Sequence, residues 1–164
     1  TGAGAGVMAA EDRRTLGTIT EDQGIEFRTG NRVADKHKDR MHLNVTSYNR
    51  MVLLTGEVLN EEMKQDIERI ARSVENVRGV VNELTVGVPA TLSNRANDTY
   101  ITSKVKARYV DGQRFNPLHV KVVTENGVVY LLGLVRQQEA KDAAELARTT
   151  EGVRKVVTVF EYLN

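Results

Sequence analysis

The sequence predicts an α+β protein made of two tandem copies of one small module, each with the element order α-β-β-α-β. Three observations support this prediction. An apolar run that meets a single glycine occurs twice, at residues 51–58 and 128–135. In both places a segment with strand periodicity precedes the run, and a segment with helical periodicity follows it. Identical residues also recur at an offset of 77 positions, which becomes 76 after one deleted residue, as expected for a duplicated unit.

Composition excludes several functional classes. The 164 residues carry 23 basic and 22 acidic side chains, so no global positive field attracts nucleic acid. Without cysteine the chain has no disulfide framework, thiol nucleophile or cysteine-based metal site. No apolar run reaches the roughly 20 residues of a membrane-spanning helix. Residues 88–164 hold eleven basic and eight acidic side chains, so an anionic partner is expected at the second half of the chain.

Residues 1–24 are predicted to be a flexible N-terminal tether, because they show neither helical nor strand periodicity. The tether is expected to approach the first module near residues 18–22. Its start is rich in Gly and Ala and has no initiator Met, which fits two interpretations equally well. The start is the stub that follows a removed targeting segment, or it is a cloning boundary.

The first module is predicted at residues 25–87. Its first helix, at 25–38, is weakly amphipathic and is interrupted by Gly30, which costs about 1 kcal/mol relative to Ala in a helix interior. Two strands around the turn 48–50 form a hairpin. Asn60 caps the second helix, whose apolar side chains repeat with helical spacing. A third strand at 80–86 completes the module.

A linker is predicted at residues 88–97, and the second module at 98–164. Asn97 or Asp98 is expected to cap the first helix of this module, which runs to about Val110. The remaining elements repeat the plan of the first module, with strands at 119–123 and 128–132, a helix at 138–149 and a strand at 156–160. The helices of each module are expected to pack on a small three-stranded mixed sheet.

Patterns that would indicate catalysis are weak. His42 and His119 occupy equivalent strand starts, which indicates a structural role in the repeat. No HExxH, GxSxG, P-loop or GxGxxG pattern occurs. The repeated Gly56 and Gly133 are better explained by backbone conformation or close packing than by a ligand. The protein is therefore predicted not to be an enzyme, and no metal or cofactor is expected.

Both modules resemble the BON domain, named after bacterial OsmY and nodulation proteins. The resemblance rests on the strand–glycine–helix arrangement around Gly56 and Gly133, and on the closing runs at residues 77–84 and 152–157. The first copy keeps the Asn that the family pattern favours near the end of the closing run. The second copy departs from the pattern, because Thr158 stands at that position.

Residues 11–164 as a whole resemble the dual-BON outer-membrane lipoproteins of Gram-negative bacteria, the division- and outer-membrane-stress-associated lipid-binding proteins. Segments 12–18, 97–105 and 122–127 carry this closer resemblance. It implies a periplasmic protein, tethered to the inner leaflet of the outer membrane by an N-terminal lipidated cysteine that this sequence lacks. It also implies a role in outer-membrane integrity and in envelope maintenance associated with cell division.

The resemblance places the binding of anionic phospholipid, mainly phosphatidylglycerol, on the first helix of the second BON domain. An aromatic residue of that helix, which is Trp in the best-known member, corresponds to Tyr100, and a residue near the helix end corresponds to Val110. Helical spacing groups Tyr100 with two cations, and such a stripe suits a headgroup interface. A neighbouring stripe that contains Ile101 is expected to face the core. The predicted lipid-binding residues are Tyr100, Ile101, Lys104, Lys106, Ala107, Arg108 and Val110.

Two alternatives accompany the lipid-binding hypothesis. A helix with one aromatic residue and several cations is most often an ordinary solvated face. A second functional hypothesis is a protein–protein interaction scaffold in the cell envelope, since small α/β modules with exposed sheet faces often pack on partner proteins. The expected partners are therefore an anionic phospholipid membrane and envelope proteins, without nucleic acid. The chain itself is expected to be a monomer.

Overall fold

A computed structural model describes residues 12–38 and 41–163. Residues Thr15–Ala90 form one compact unit, here called the first module. Thr91–Asn164 form the second module, and the segment that ends at Arg14 belongs to the same unit as the second module. Residues 1–11 of the predicted tether lie outside the described residues.

The first module has the predicted order of elements. Its elements are α1 (Leu16–His37), β1 (His42–Tyr48), β2 (Met51–Val58), α2 (Glu61–Ser73), β3 (Gly79–Asn82) and β4 (Thr85–Val86). The central strand, β2, pairs antiparallel with β1 and parallel with both β3 and β4. The sheet is therefore mixed, as predicted, and its third position is filled by two short strands.

The second module repeats this plan. Its elements are α3 (Leu92–Gly112), a 3₁₀ turn (Pro117–His119), β5 (Lys121–Glu125), β6 (Val128–Val135), α4 (Gln137–Arg148) and β7 (Lys155–Tyr162). The strand order is β5-β6-β7, with β5 antiparallel and β7 parallel to β6. The prediction of two α-β-β-α-β modules on small mixed sheets is confirmed.

Each module has its own hydrophobic core between its helices and one face of its sheet. Ile25 and Val33 from α1 pack with Val52, Leu54 and Ile67 in the first module. The corresponding cluster of the second module is formed by Ile101, Val105, Tyr109, Val129, Leu131, Ala143 and Ala147. The first helix of each module therefore turns a regularly spaced apolar face inward.

The start and continuity of α1 differ from the prediction. The helix begins at Leu16, where the Thr15 side chain accepts a hydrogen bond from the Thr18 N–H at 3.1 Å. Residues 16–24 are therefore helical and are not part of a flexible tether. The predicted interruption at Gly30 is also wrong, because α1 continues through it to His37. Packing of the inward face offsets the small cost of one glycine.

The start of α3 was also predicted too late. The helix begins at Leu92, and the Thr91 side chain caps it by accepting from the Asn94 N–H at 3.1 Å. The helix therefore includes six of the ten residues predicted as linker, 92–97. Asp98 is not a cap but a buried residue inside the helix. Threonine at a cap position satisfies N–H groups that the helix itself leaves unpaired.

The buried Asp98 holds the β5–β6 hairpin against α3. Its carboxylate accepts from the N–H of Asn126 at 2.8 Å and from the N–H of Gly127 at 2.9 Å. Both turn residues have positive φ, 51° and 77°, as a tight two-residue hairpin turn requires. The Asn-Gly turn was predicted from sequence, whereas its aspartate partner was not.

The first module has the same connection at Asp22, which precedes Asp98 by the 76-residue offset. Asp22 accepts from the N–H groups of Asn49 and Arg50 at 2.8 and 2.7 Å, and from the Ser47 hydroxyl at 2.7 Å. The two aspartates therefore set how each first helix lies along its hairpin. Aligning the two copies at this offset places Asp22 on Asp98, so the sequence does contain a signal for this shared contact.

The repeated glycines are required by close backbone contacts. A Cβ atom on Gly56 would lie 2.0 Å from the carbonyl oxygen of His42, and one on Gly133 would lie 2.4 Å from that of His119. Gly56 also has a φ of 123°, which disfavours residues with a side chain. Both glycines therefore have a structural role, at a point where a backbone carbonyl of the preceding segment lies close against the central strand.

The third strand is interrupted only in the first module. Asn82 donates from its side-chain amide to the Lys64 carbonyl at 3.0 Å and accepts from the Leu84 N–H at 3.2 Å. These bonds turn the chain between β3 and β4, and they bury Leu84 in the core. Thr158 stands at the equivalent position of the second module, where β7 continues without a break.

Gly133→Ala should destabilise the second module by about 1–3 kcal/mol, because its new Cβ would collide with the His119 carbonyl. Scanning calorimetry measures the change as a lower unfolding temperature. Gly30→Ala is the matched control: no atom lies within 4 Å of its added Cβ, and Ala is the better helix former, so this variant should unfold at an equal or higher temperature. Equal behaviour of the two variants would contradict the assigned role of Gly133.

Candidate functional site

The inward face of α3 fixes the helix on its module. Ile101, Val105 and Tyr109 are almost completely buried, and the Tyr109 hydroxyl donates to the Ala143 carbonyl at 2.9 Å. Burial raises the pKa of the Tyr109 phenol well above its usual range. Ile101, which is 1% exposed, belongs to this core, so its assignment to the predicted lipid-binding set is corrected. The sequence pattern also placed Ile101 on a stripe that faces the core, and that is where the side chain lies.

The outward face of α3 carries a long apolar stripe. Leu92, Tyr100 and Val110 are 82%, 60% and 59% exposed. The α3 stripe, as we name it, consists of exposed residues spaced by three or four positions: Leu92, Ala96, Tyr100, Ser103, Ala107 and Val110. Such spacing places all six on one side of the helix, over a length of about 27 Å. Apart from the Tyr100 hydroxyl, the only polar group among the six side chains of the α3 stripe is the small hydroxyl of Ser103.

The predicted site contained the middle and the end of the α3 stripe but not its beginning. Of the predicted lipid-binding residues, Tyr100, Ala107 and Val110 lie exposed on this stripe. Leu92 and Ala96 were missed because residues 88–97 were interpreted as linker. Ala96 and Leu92 precede Tyr100 by four and eight positions, so helical spacing places them on the same face. Thr91 is the capping residue that indicates the helix start.

Two predicted cations, Lys104 and Arg108, contact the end of α4. Arg108 donates to the Leu146 carbonyl at 2.5 Å and to the hydroxyls of Thr149 and Thr150 at 2.9 and 3.0 Å. Lys104 donates to the Glu151 carbonyl at 2.7 Å. Cations are favourable at a helix C-terminus, where carbonyl groups lack helical partners. These side chains therefore join α3 to α4 in addition to placing positive charge beside the stripe.

Lys104 also contacts the aromatic ring of the stripe. Its ammonium nitrogen lies 4.7 Å from the centroid of the Tyr100 ring, which is within the range of a cation–π interaction. This contact holds one face of the exposed ring against the side chain of Lys104. Tyr100 thus combines an ordered aromatic surface with a polar tip.

Positive charge lines both flanks of the α3 stripe. Helical geometry places Lys104 and Arg108 on one flank, and Arg95 and Lys106 on the other. Arg95 and Lys106 are both exposed. An exposed carboxylate, Asp111, follows at the C-terminal end of the helix. The surface is thus an apolar strip between two rows of cations.

The equivalent helix α1 does not carry this arrangement. At the 76-residue offset, Gly24 stands in place of Tyr100 and Ala34 in place of Val110. The exposed aromatic residue of α1 is Phe27, which corresponds to Ser103 and is 70% exposed. The two copies therefore share a core and differ on the outward face of the first helix.

The segment before α1 docks on the second module rather than on the first. Arg13 forms a two-pronged ion pair with Glu139, at 2.6 and 2.9 Å, and donates to the Leu134 carbonyl at 2.8 Å. The hydrogen bond from Arg13 is the main cause that lowers the pKa of Glu139 from its usual 4.5 to about 2, and the Arg136 N–H contributes. Local sequence patterns do not reveal this contact, because Arg13 and Glu139 are 126 positions apart.

The His37 side chain of the first module contacts a carboxylate that it shares with two cations. His37 lies 2.6 Å from a carboxylate oxygen of Asp66, and Lys36 and Arg69 contact the same carboxylate. The hydrogen bond from Lys36 is the largest contribution that lowers the pKa of Asp66, to about 2. These contacts connect α1 to α2, and they give His37 a structural explanation.

Comparison with known proteins identifies the repeated module. The family model of the BON domain matches residues 21–88 and 97–164. The chain belongs to the BON domain family. The resemblance inferred from sequence is thereby confirmed, and the first and second modules are hereafter BON domains 1 and 2.

Three relatives align over more than nine tenths of this chain. The outer membrane lipoprotein DolP of Haemophilus influenzae is 41% identical over 167 residues, covering 98% of this chain and 86% of that protein. The 21 kDa hemolysin of Actinobacillus pleuropneumoniae is 31% identical, covering 93% and 79%. The osmotically-inducible protein Y of Escherichia coli is 28% identical, covering 93% and 78%. In the described part of this chain, each helix is too short or too polar to cross a membrane.

The pKa of Glu139 predicts a pH dependence of stability. A carboxylate whose pKa is lower in the folded state stabilises the fold above its unfolded pKa, and this contribution is lost as the pH falls from about 4.5 towards about 2. Glu139→Gln should therefore reduce the loss of stability between about pH 6 and about pH 3, as measured by urea midpoints.

Glu145→Gln is the control for this experiment, because it removes a more exposed carboxylate, 58% exposed, from the same helix. It should change the pH dependence less than Glu139→Gln does. Arg13→Gln should reproduce the effect of Glu139→Gln, since both substitutions remove the same ion pair. If the wild type and Glu139→Gln lost stability equally between the two pH values, the ion pair would not hold the N-terminal segment on BON domain 2.

Proposed function

We propose that this protein binds membranes of anionic phospholipid through the α3 stripe of BON domain 2. The observation that supports this function is the exposed apolar stripe with cations on both flanks, on a helix whose opposite face is anchored in the core. An amphipathic helix of this kind lies in the plane of the membrane interface, with its apolar side chains below the headgroups. The activity requires no chemical step and no cofactor, so the proposed role is non-enzymatic.

Apolar contact supplies part of the proposed binding energy. Removal of apolar surface from water contributes about 25 cal/mol per Å², and Leu92 and Val110 expose most of their side chains at the two ends of the stripe. Tyr100 lies between them, and an aromatic ring with a polar tip is suited to the headgroup level. Because α3 is already folded and fixed, little conformational entropy is lost when it meets the membrane.

Electrostatic attraction supplies the preference for anionic lipid. Each Lys or Arg near a negatively charged surface contributes about 1 kcal/mol, and salt weakens the attraction. Arg95 and Lys106 are the exposed cations of one flank, whereas Lys104 and Arg108 also bond the end of α4. Phosphatidylglycerol carries one negative charge and is the anionic phospholipid that the lipoprotein resemblance favours.

The cellular role follows from the relatives. The Haemophilus influenzae relative is named an outer membrane lipoprotein, and we propose the same envelope location for this chain, at the periplasmic face of the outer membrane. An N-terminal lipid anchor and the α3 stripe would then hold BON domain 2 to that surface in two places, which strengthens attachment more than either contact alone. We propose that this attachment supports outer-membrane integrity and envelope maintenance during cell division.

The stripe predicts which substitutions abolish membrane binding. In flotation assays, liposomes that contain phosphatidylglycerol should recover the protein, and liposomes of phosphatidylcholine alone should not. Tyr100→Ala combined with Val110→Glu should reduce recovery at least about tenfold, because the variant loses aromatic contact and places a carboxylate at the lipid.

Phe27→Glu is the matched control, since it replaces an exposed apolar residue of the equivalent helix in BON domain 1. It should leave recovery unchanged. Equal recovery by neutral and anionic liposomes, or an equal loss in the control and the stripe variant, would refute binding through α3.

The cations on the two flanks predict different phenotypes. Arg95→Glu with Lys106→Glu should weaken liposome binding, reduce its salt dependence and leave thermal stability nearly unchanged, because these side chains are exposed.

Arg108→Gln should lower the free energy of unfolding by about 1–3 kcal/mol, because it leaves carbonyl and hydroxyl groups at the end of α4 without their donor. Thermal unfolding and flotation of the same samples separate the two effects. A stable Arg108→Gln variant would contradict its assigned contact with α4.

A further inference from the structure

The edge strand of BON domain 1 has unused backbone groups. β1 lies at one end of the strand order β1-β2-β3, so one of its edges faces no strand of that sheet. Tyr48 and Met51 flank the two-residue turn, and pairs beside such a turn exchange hydrogen bonds. Alternate residues counted back from Tyr48 are bonded to β2, so the N–H and C=O groups of Leu43, Val45 and Ser47 point to the free edge.

Two of these three residues are available for a new strand. The Ser47 N–H is occupied, because it donates to the Glu26 carboxylate at 2.9 Å. Among residues 12–38 and 41–163, no hydrogen bond engages the outward N–H groups of Leu43 and Val45. Unpaired edge groups of this kind form the template on which another extended chain pairs.

A groove of about 440 Å³ runs beside this free edge. One wall comes from α1 and the residue after it, at successive helical turns: Glu26, Gly30, Ala34 and Lys38. The other wall consists of Met41, Leu43 and Val45, which are partly buried and pack on the core. The centre of the groove is therefore lined by small and apolar residues, with a carboxylate at one end and an ammonium group at the other.

BON domain 2 carries larger side chains at the equivalent helix positions. At the repeat offset, Lys106 and Val110 replace Gly30 and Ala34 on the helix wall. The strand residues equivalent to Leu43 and Val45 are Val120 and Val122, and both are only 6% exposed. Positions 30 and 34 therefore carry the smaller side chains in BON domain 1, where they line the groove.

We propose that BON domain 1 binds an extended protein segment, which adds to β1 as a further strand and places alternate apolar side chains in the groove. The free N–H and C=O groups of Leu43 and Val45 require an extended backbone as their partner. Lys38 lies at the end where β1 begins, and Glu26 lies at the other. Charge complementarity therefore selects a segment that runs antiparallel to β1 and carries an acidic group, or its C-terminal carboxylate, beside Lys38.

This peptide-binding role is independent of lipid binding, because its residues lie on a different domain from the α3 stripe. It also gives the protein-interaction hypothesis a defined surface and a defined partner chemistry. A segment of about five residues is long enough to span the open part of β1 at about 3.3 Å per residue.

The test uses the full chain, labelled for NMR, and a panel of synthetic peptides of about six residues each. The peptides alternate threonine with valine, leucine or phenylalanine and end in a free carboxylate. At least one should bind, shift the amide signals of Leu43 and Val45, and slow their hydrogen exchange at least about tenfold. Replacing the apolar positions by proline removes backbone donors and should abolish binding.

Gly30→Lys with Ala34→Val introduces the residues of BON domain 2 and should weaken peptide binding at least about tenfold, while liposome binding stays unchanged. Asn31→Lys is the matched control: it adds the same charge beside the groove on an exposed position of α1 and should leave peptide binding intact. Three results would overturn the proposal: no panel peptide binds, the shifts lie away from β1, or Leu43 and Val45 are protected by self-association of the chain without peptide.

Discussion

A buried carboxylate determines how the first helix of each BON domain lies on its sheet. Asp98 accepts hydrogen bonds from two backbone N–H groups of the β5–β6 turn, and Asp22 accepts two from the β1–β2 turn. Hydrogen bonds from backbone donors to a charged acceptor in a buried position are strong, and their loss leaves unpaired groups in the interior. Together with the inward apolar residues, this contact fixes the rotation of the helix. The outward face of α3 is therefore a defined surface and not one of several interchangeable faces.

The duplication produced two surfaces from one scaffold. The inward residues of α1 and α3 serve the same packing in both domains, whereas the outward and flanking residues differ. Tyr100 and Val110 in one copy correspond to Gly24 and Ala34 in the other. Larger side chains give BON domain 2 an apolar stripe, and smaller ones line a groove in BON domain 1. A few substitutions on one helix are sufficient for this divergence, because the core and the hairpin contacts do not change.

Local sequence patterns predicted the parts of the fold that depend on local periodicity. The strands, the Asn-Gly turn and the middle of each helix follow from alternation, turn chemistry and helical spacing. The starts of α1 and α3 were missed because their first turns have no buried apolar side chain; the buried faces begin only at Asp22 and Asp98. Thr15 and Thr91, which cap them, were the available signal. The break between β3 and β4 depends on the hydrogen bond from Asn82 to the Lys64 carbonyl of α2, and sequence periodicity cannot predict a contact of this kind.

The sequence predicted the central residues of the candidate site, but it did not predict the partners of its charged side chains. Helical spacing placed Tyr100 and Ala107 on one face, but it could not show that Arg108 bonds the end of α4, which lies 38 positions away. Nor could it show that Arg13 returns to Glu139 in BON domain 2. Long-range ion pairs of this kind depend on tertiary structure, and they decide which cations are available to a ligand.

The orientation of α3 at a membrane is the most direct test of the account. NMR of the labelled chain with phosphatidylglycerol micelles that contain a spin-labelled lipid reports which amides approach the hydrocarbon. The account predicts signal loss that repeats every three to four residues along α3 and is strongest at Leu92, Ala96, Tyr100, Ser103, Ala107 and Val110. Uniform loss over both domains, or loss centred on α1, would contradict it.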